Sequence, residues 1–243
     1  MNMSGHIVSA FDADLGSLRR SIAEMGGIAE KMLADATTAL VRDDSSLAQT
    51  VIGADRRLDE LQRDLEERGI LTIARRQPLA VDLREIVSAL RIAGDLERAG
   101  DLAKNTAKRV IAMTGHMHPK RVVTGVQHMS DLAFGQLKDV LDAYAGNDVE
   151  AAVAVWNRDG AIDALNNSLF RELLTYMMED ARSISFCTHL LFCAKNIERI
   201  GDHTTNIAET IHYLVTGQAL TGERPKDDRS SFAVVAPREA PET

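Results

Sequence analysis

Two stretches decide the reading: Asp95-Leu96-Glu97-Arg98-Ala99-Gly100-Asp101 and, 101 positions later, Asn196-Ile197-Glu198-Arg199-Ile200-Gly201-Asp202. The pattern Glu-Arg-x-Gly-Asp recurs with unchanged spacing, and Asn105 falls over Asn206 under the same shift. Upstream of each copy, a shift of 104 lays Asp44, Val51, Asp55, Leu58, Asp59, Leu61 and Leu65 over Asp148, Val155, Asp159, Ile162, Asp163, Leu165 and Leu169. Self-similarity at a fixed long interval marks a duplicated structural unit. Each unit is about 100 residues, enough to bury a core of its own.

The periodicity of each copy is helical. Phe11, Leu15, Leu18, Ile22, Met25, Ala29 and Met32 step by four and three, the apolar stripe of a long amphipathic helix ending near 43–44. Asp44-Ser45-Ser46 offers capping residues for a second helix, carried by Val51, Leu58, Leu61 and Leu65 to about 74, where Arg75-Arg76-Gln77-Pro78 interrupts it. Pro78 suits the first turn of a third helix running through Leu83, Ile86, Leu90 and Ala93 to about 113. Thr114-Gly115-His116-Met117-His118-Pro119 is the one clear internal linker. Helices over about 122–144, 148–180 and 183–216 then repeat the first three. The expected fold is all-α, two tandem, pseudo-symmetric three-helix bundles made of six long helices, over residues 1–115 and 116–220. Residues 221–243, rich in proline and charge, read as a disordered tail.

Composition narrows the function. With 28 Lys+Arg against 36 Asp+Glu the net charge is −8, which argues against a general nucleic-acid backbone binder. No run of about 18 uncharged apolar residues occurs, and Met1-Asn2-Met3-Ser4-Gly5-His6 has no secretory pattern, so a cytoplasmic protein is expected, with any membrane role by docking. Cys187 and Cys193, six apart on one helix, face opposite ways and are expected to be buried small hydrophobes in a reducing compartment.

Carboxylates sit where apolar residues should. Asp55 with Asp59, Glu97 with Asp101, Asp159 with Asp163, and Glu198 with Asp202 are each four apart and share a helix face. Ile86, Leu90, Ala93, Glu97 and Asp101 form one stripe, as do Cys187, Leu191, Ala194, Glu198 and Asp202, so the acids continue an inter-helix seam. Counting about 1.5 Å per residue from each turn puts the four acids of each repeat near one height, about 24–38 Å from the turn. Carboxylates gathered in partly dry surroundings need a cation or a shared proton, and all-oxygen ligands suit Mg²⁺, Ca²⁺, Mn²⁺ or oxidised iron better than structural zinc. The plainer alternative is a solvated face on which Arg98, Arg199 and Lys104 neutralise Glu97, Glu198 and Asp101.

Other features point less sharply. His116 and His118 flank the linker, and His203 adjoins Asp202 although its counterpart is Leu102. Arg75-Arg76 and Lys120-Arg121 are candidate partner or anion surfaces, the first pair also fitting a helix C-terminus. Trp156 and Met177-Met178 read as core or interface residues. A carboxylate-bridged di-metal bundle enzyme of the ferritin-like kind would need Glu-x-x-His pairs, whereas Gly100 and Gly201 stand third after Glu97 and Glu198. A metal-independent adaptor whose acids repel wrong partners is the remaining alternative.

From about residue 5 to 218 the chain resembles the PhoU phosphate-signalling regulators. The resemblance is carried by Met25-Gly26-Gly27, Arg75-Arg76-Gln77-Pro78 with Asp82-Leu83-Arg84, Leu96 to Asp101, Tyr176-Met177-Met178-Glu179-Asp180 and Ile197 to Asp202. It implies a cytoplasmic regulator rather than a catalyst, often a homodimer, recruited peripherally to the inner face of the plasma membrane. Its implied partners are the phosphate ABC transporter, through ATPase or permease, and the phosphate sensor histidine kinase, and its implied effect is to restrain phosphate uptake and starvation signalling. The family's acidic motifs fall on Asp55/Asp59, Glu97/Asp101, Asp159/Asp163 and Glu198/Asp202, which implies divalent or ferric metal ions (Mg, Mn, Fe or Zn). Ala99 stands where Ile200 sits in the second copy, and the tail after Thr221 matches nothing in the family.

Overall fold

Local capping chemistry is duplicated along with the helices. In the computed structural model, which describes residues 3–115 and 120–222, the first helix, α1 (Met3–Arg42), ends with Asp43 in the left-handed region. Asp44 then closes a helix-end turn through its amide to Ala39 O at 2.9 Å, and its carboxylate accepts from Leu47 N to start α2 (Ser45–Arg76). The second copy does the same with Asn147 and Asp148, between α4 (Lys120–Gly146) and α5 (Val149–Trp156). Asp and Asn tolerate positive φ and cap helices well, so one short sequence ends one helix and starts the next.

The third helix, α3 (Val81–Met113), starts three residues after the point expected from Pro78. Gln77 adopts the left-handed conformation and takes its amide to Ile73 O, so Pro78 lies in the connection and not in the first turn. Ala80 is held there at φ 49°, ψ −109°, a strained conformation for a residue with a Cβ. The expected single helix over 148–180 is instead two, α5 and α6 (Asp159–Glu179), interrupted at Asn157-Arg158. Here α4 takes hold of Arg158: Gln136 Nε2 donates to its carbonyl at 3.0 Å, and its guanidinium reaches Asp139 at 2.5 Å. Asn157 and Gly160 on either side hold a helix weakly, and the rod breaks where a neighbour supplies alternative partners. A 3-10 turn at Ala181–Ser183 leads into α7 (Ile184–Thr216), which ends at Gly217 with φ 74°.

Helices α1, α2 and α3 form one bundle; α4, α5 with α6, and α7 form the other; α3 packs on α7 and α1 on α4. A continuous apolar core runs through both, from Leu18, Ile22 and Met25 of α1 to Ile197, Ile207 and Ile211 of α7. Contacts between α3 and α7 set their direction: Arg91 lies over Tyr213, Asp95 meets His203, and Asn196 reaches Thr106, so the two helices are antiparallel. The α2–α3 connection and the α6–α7 connection consequently lie at opposite ends of the molecule. Cys187 and Cys193 are free and buried, as the spacing requires. The linker residues His116 and His118, and the tail from 223 onward, fall outside the described residues.

Candidate functional site

Both repeats use one geometric device. On α2, Asp55 and Asp59 stand three before and one after Leu58; on α3, Glu97 and Asp101 stand three before and one after Gly100. Leu58 is fully buried and packs where Gly100 leaves room, since a Cβ there would run into its Cδ2. In the second repeat a Cβ on Gly201 would lie 2.8 Å from Ile162 Cδ1, and Asp159, Asp163, Glu198 and Asp202 hold the same offsets around that pair. The glycine of Glu-Arg-x-Gly-Asp thus lets two helices approach closely, and the approach gathers two carboxylates from each helix around one crossing.

In the first repeat the acids meet a protein cation. Lys104 Nζ lies 2.5 Å from Asp55 Oδ2 on α2 and 2.5 Å from Asp101 Oδ1 on its own helix. Burial works against the Lys104 ammonium, but its hydrogen bonds to Asp101 and Asp55 outweigh that and raise its pKa. Glu97 is the strained member: burial first, then the charges of Asp101, Asp59 and Asp55, push its carboxyl above the usual range, with Arg98 opposing. Arg98 reaches Glu97 at 3.5 Å and Asp101 at 3.9 Å from an exposed position, so it is a weak, screened partner.

The second cluster is drier. Asp159, Asp163 and Glu198 are all buried, and Asp202 is half-buried. Thr205 Oγ1 donates to Asp159 at 2.9 Å across the α6–α7 crossing, and Lys195 Nζ reaches Glu198 Oε2 at 2.9 Å. Thr205 occupies the position of Lys104 under the repeat shift. Among the described residues, no three carboxylate, histidine or cysteine side chains converge closely enough to ligate one ion. By donor chemistry the second cluster, with hard carboxylate oxygens and a hydroxyl, fits a hard cation, whereas the first already has an ammonium bridging its two helices.

In each repeat the offsets set two acids of each helix beside one crossing. Lys104 was legible as a neutraliser of Asp101 from its spacing; its reach to Asp55 on the other helix was not. Lys195, not the exposed Arg199, pairs with Glu198. The i,i+3 spacing of Lys195 and Glu198 was the available signal. His203 turns away from Asp202 and meets Asp95 at 2.8 Å, where Asn206 also donates at 3.3 Å, tying the two bundles beside a polar groove of about 750 Å³. Arg76 pairs with Asp14 of α1 at 3.1 Å, and Arg121 with Glu172 at 3.4 Å. Trp156 is buried and donates to Glu209, while Met178 is exposed.

A family model described as the PhoU domain matches residues 22–110 and 126–211, one copy over each bundle. The chain belongs to the PhoU family. A PhoU homolog of Rhizobium meliloti (strain 1021), named a phosphate-specific transport system accessory protein, is 60% identical over 226 residues, covering 93% of this chain and 95% of that protein. The crystal structure of PhoU from Pseudomonas aeruginosa superposes with a TM-score of 0.83 at 39% identity, covering 86% of this chain and all of that one. That of the phosphate transport system regulatory protein PhoU from Streptococcus pneumoniae gives 0.80 at 27% identity, covering 87% and 99%. The PhoU relatives carry the names of accessory and regulatory proteins, not of enzymes.

Proposed function

We propose that this PhoU-family protein is a negative regulator of phosphate uptake and of phosphate-starvation signalling. It acts as a cytoplasmic adaptor, in homodimeric form, between the phosphate ABC transporter and the phosphate sensor histidine kinase, and reaches the inner face of the plasma membrane by docking on them. The observation that carries this reading is the 60% identity, over 93% of the chain, to a phosphate-specific transport system accessory protein. No helix among the described residues is long and apolar enough to cross a membrane, which agrees with docking. Ile70, Leu71, Leu79, Val81 and Leu83, half of the exposed large hydrophobic residues described, cluster around the strained α2–α3 connection. Such a patch suits a protein contact, and we assign the docking to it.

Of the acidic motifs, Asp159, Asp163, Glu198 and Asp202 are the set fitted to hold a divalent or ferric ion (Mg, Mn, Fe or Zn). A bound cation supplies positive charge. The carboxylates of α6 and α7 would then stand at one crossing without mutual repulsion, fixing the face they share. The test is co-purification of the full chain with the transporter ATPase and with the kinase's cytoplasmic portion, for wild type and for Leu79→Asp/Val81→Asp. Retention of both partners by wild type and loss by the variant is expected. Failure of wild type to retain either partner would overturn the adaptor reading.

A further inference from the structure

The two carboxylate clusters are not equivalent, although the repeat makes their acids superimposable. At the first crossing the Lys104 ammonium touches one carboxylate from each helix, Asp55 of α2 and Asp101 of α3, at 2.5 Å each. Its side chain is only 19% exposed, and Asp55 beneath it is 9% exposed, so this cation is enclosed by the crossing it bridges. At the equivalent position of the second repeat stands Thr205, whose hydroxyl donates to Asp159 and brings no charge. The lysine that reaches the second cluster, Lys195, comes from α7 itself, one turn before Glu198, and its side chain is 42% exposed. A lysine at that rim can swing into solvent at little cost, whereas withdrawing Lys104 strips the charge partner from a buried aspartate.

We infer that Lys104 is the resident cation of the first cluster, so that a divalent metal enters this cluster only when Lys104 is removed. The inference deepens the metal reading of the acidic motifs given above and is independent of the regulatory one. An ammonium and a divalent ion compete for the same carboxylate oxygens. Lys104 is covalently tethered, so it is present at a local concentration that a free ion must overcome, and binding a metal there would leave the lysine charge buried beside it. The carboxylates that act on this lysine are Asp55 and Asp101, while Glu97 is acted on by Asp55, Asp59 and Asp101, with Arg98 at the solvent edge. Removing the ammonium frees Asp55 and Asp101, one carboxylate from each helix, hard oxygens of the kind Mn²⁺ takes.

The experiment is Mn²⁺ titration of the chelator-treated full chain by calorimetry, with elemental analysis after dialysis, for wild type and for Lys104→Thr, the residue the second repeat uses. Lys104→Gln is the companion variant, since its amide keeps N–H donors for Asp55 and Asp101 and so protects the fold. Each lysine variant is expected to bind roughly one more equivalent per chain than wild type, the load of one such oxygen site. The gain should vanish when Asp55→Asn/Asp101→Asn is added, and the same Asp pair changed in wild type should leave its Mn²⁺ content unaltered. No gain in either folded lysine variant, or a loss of Mn²⁺ from wild type on changing Asp55 and Asp101, overturns the inference. Loss on changing Asp159 and Asp163 reports on the second cluster alone, so the two readings fail separately.

Discussion

Replacing Gly100 by Val tests whether the helix crossing is what assembles the first cluster. The missing Cβ leaves space that Leu58 Cδ2 fills, and Met32 Sδ stands 3.6 Å from the same point. Leu58 and Met32 are both buried in the core, so the new side chain has little room to displace them. Overpacking of this kind costs about 1–3 kcal/mol, and a branched side chain beside a filled site belongs at the upper end. Valine gains back roughly 0.4 kcal/mol over glycine in helix propensity. The net expectation is about 2–3 kcal/mol of destabilisation, a fall in Tm of roughly 4–12 °C for a chain of this size. Urea unfolding should show it, and Leu58→Ala in the same background should relieve it, with a coupling of about 0.5–3 kcal/mol. Gly27, in the same protein, has open space around its Cβ position, so Gly27→Val should leave stability within about 0.5 kcal/mol. An unchanged Tm for Gly100→Val, or strict additivity with Leu58→Ala, would refute the crossing argument.

Three further outcomes are expected. The carboxyl of Glu97 is raised above the usual range, chiefly by burial, so between the ordinary glutamate pKa and the raised one the native state holds more proton than the unfolded chain. Stability contributed by Glu97 therefore falls as pH rises through that window. Glu97→Gln should be the more stable protein at neutral pH, with the advantage shrinking toward acid; a constant difference across a pH series of melting curves would contradict this. Burial pushes the Cys193 thiol up to about 12 and raises Cys187 as well, so neither should react with a thiol reagent until the chain is unfolded; stoichiometric labelling of the native protein would say otherwise. Leu79, 80% exposed, should tolerate Leu79→Asp with less than about 0.5 kcal/mol change in stability while partner retention is lost; retention unaltered by this change would remove the patch from the docking surface.

The helices and their duplication were legible because burial of one stripe per helix imposes a 3.6-residue period, and because Gly100 and Gly201 keep fixed offsets from their acids. Counting rise per residue set the acids of each repeat at one height, and Gly100 and Gly201 mark the crossings beside them. What escaped was decided by tertiary partners. The break at Asn157-Arg158 depends on Gln136 and Asp139 of α4, which no local period reveals. The turn at Gln77 displaced Pro78 from α3 because a left-handed residue closed α2 first. The match between Asp95 and Asn196 concealed that Asp95 faces His203 and Asn206 across the bundle interface. Lys104 was visible as a neighbour of Asp101, yet its hold on Asp55 requires knowing how closely α2 approaches α3.

Regulation of the phosphate response is measured directly by complementation. A strain lacking its own gene for this PhoU-family protein, carrying a phosphate-starvation phosphatase reporter, would be complemented with the full chain and grown in abundant phosphate. Phosphatase activity is expected to fall back to the repressed level. Activity that stays at the starvation level, with the protein folded and abundant by immunoblot, would contradict it.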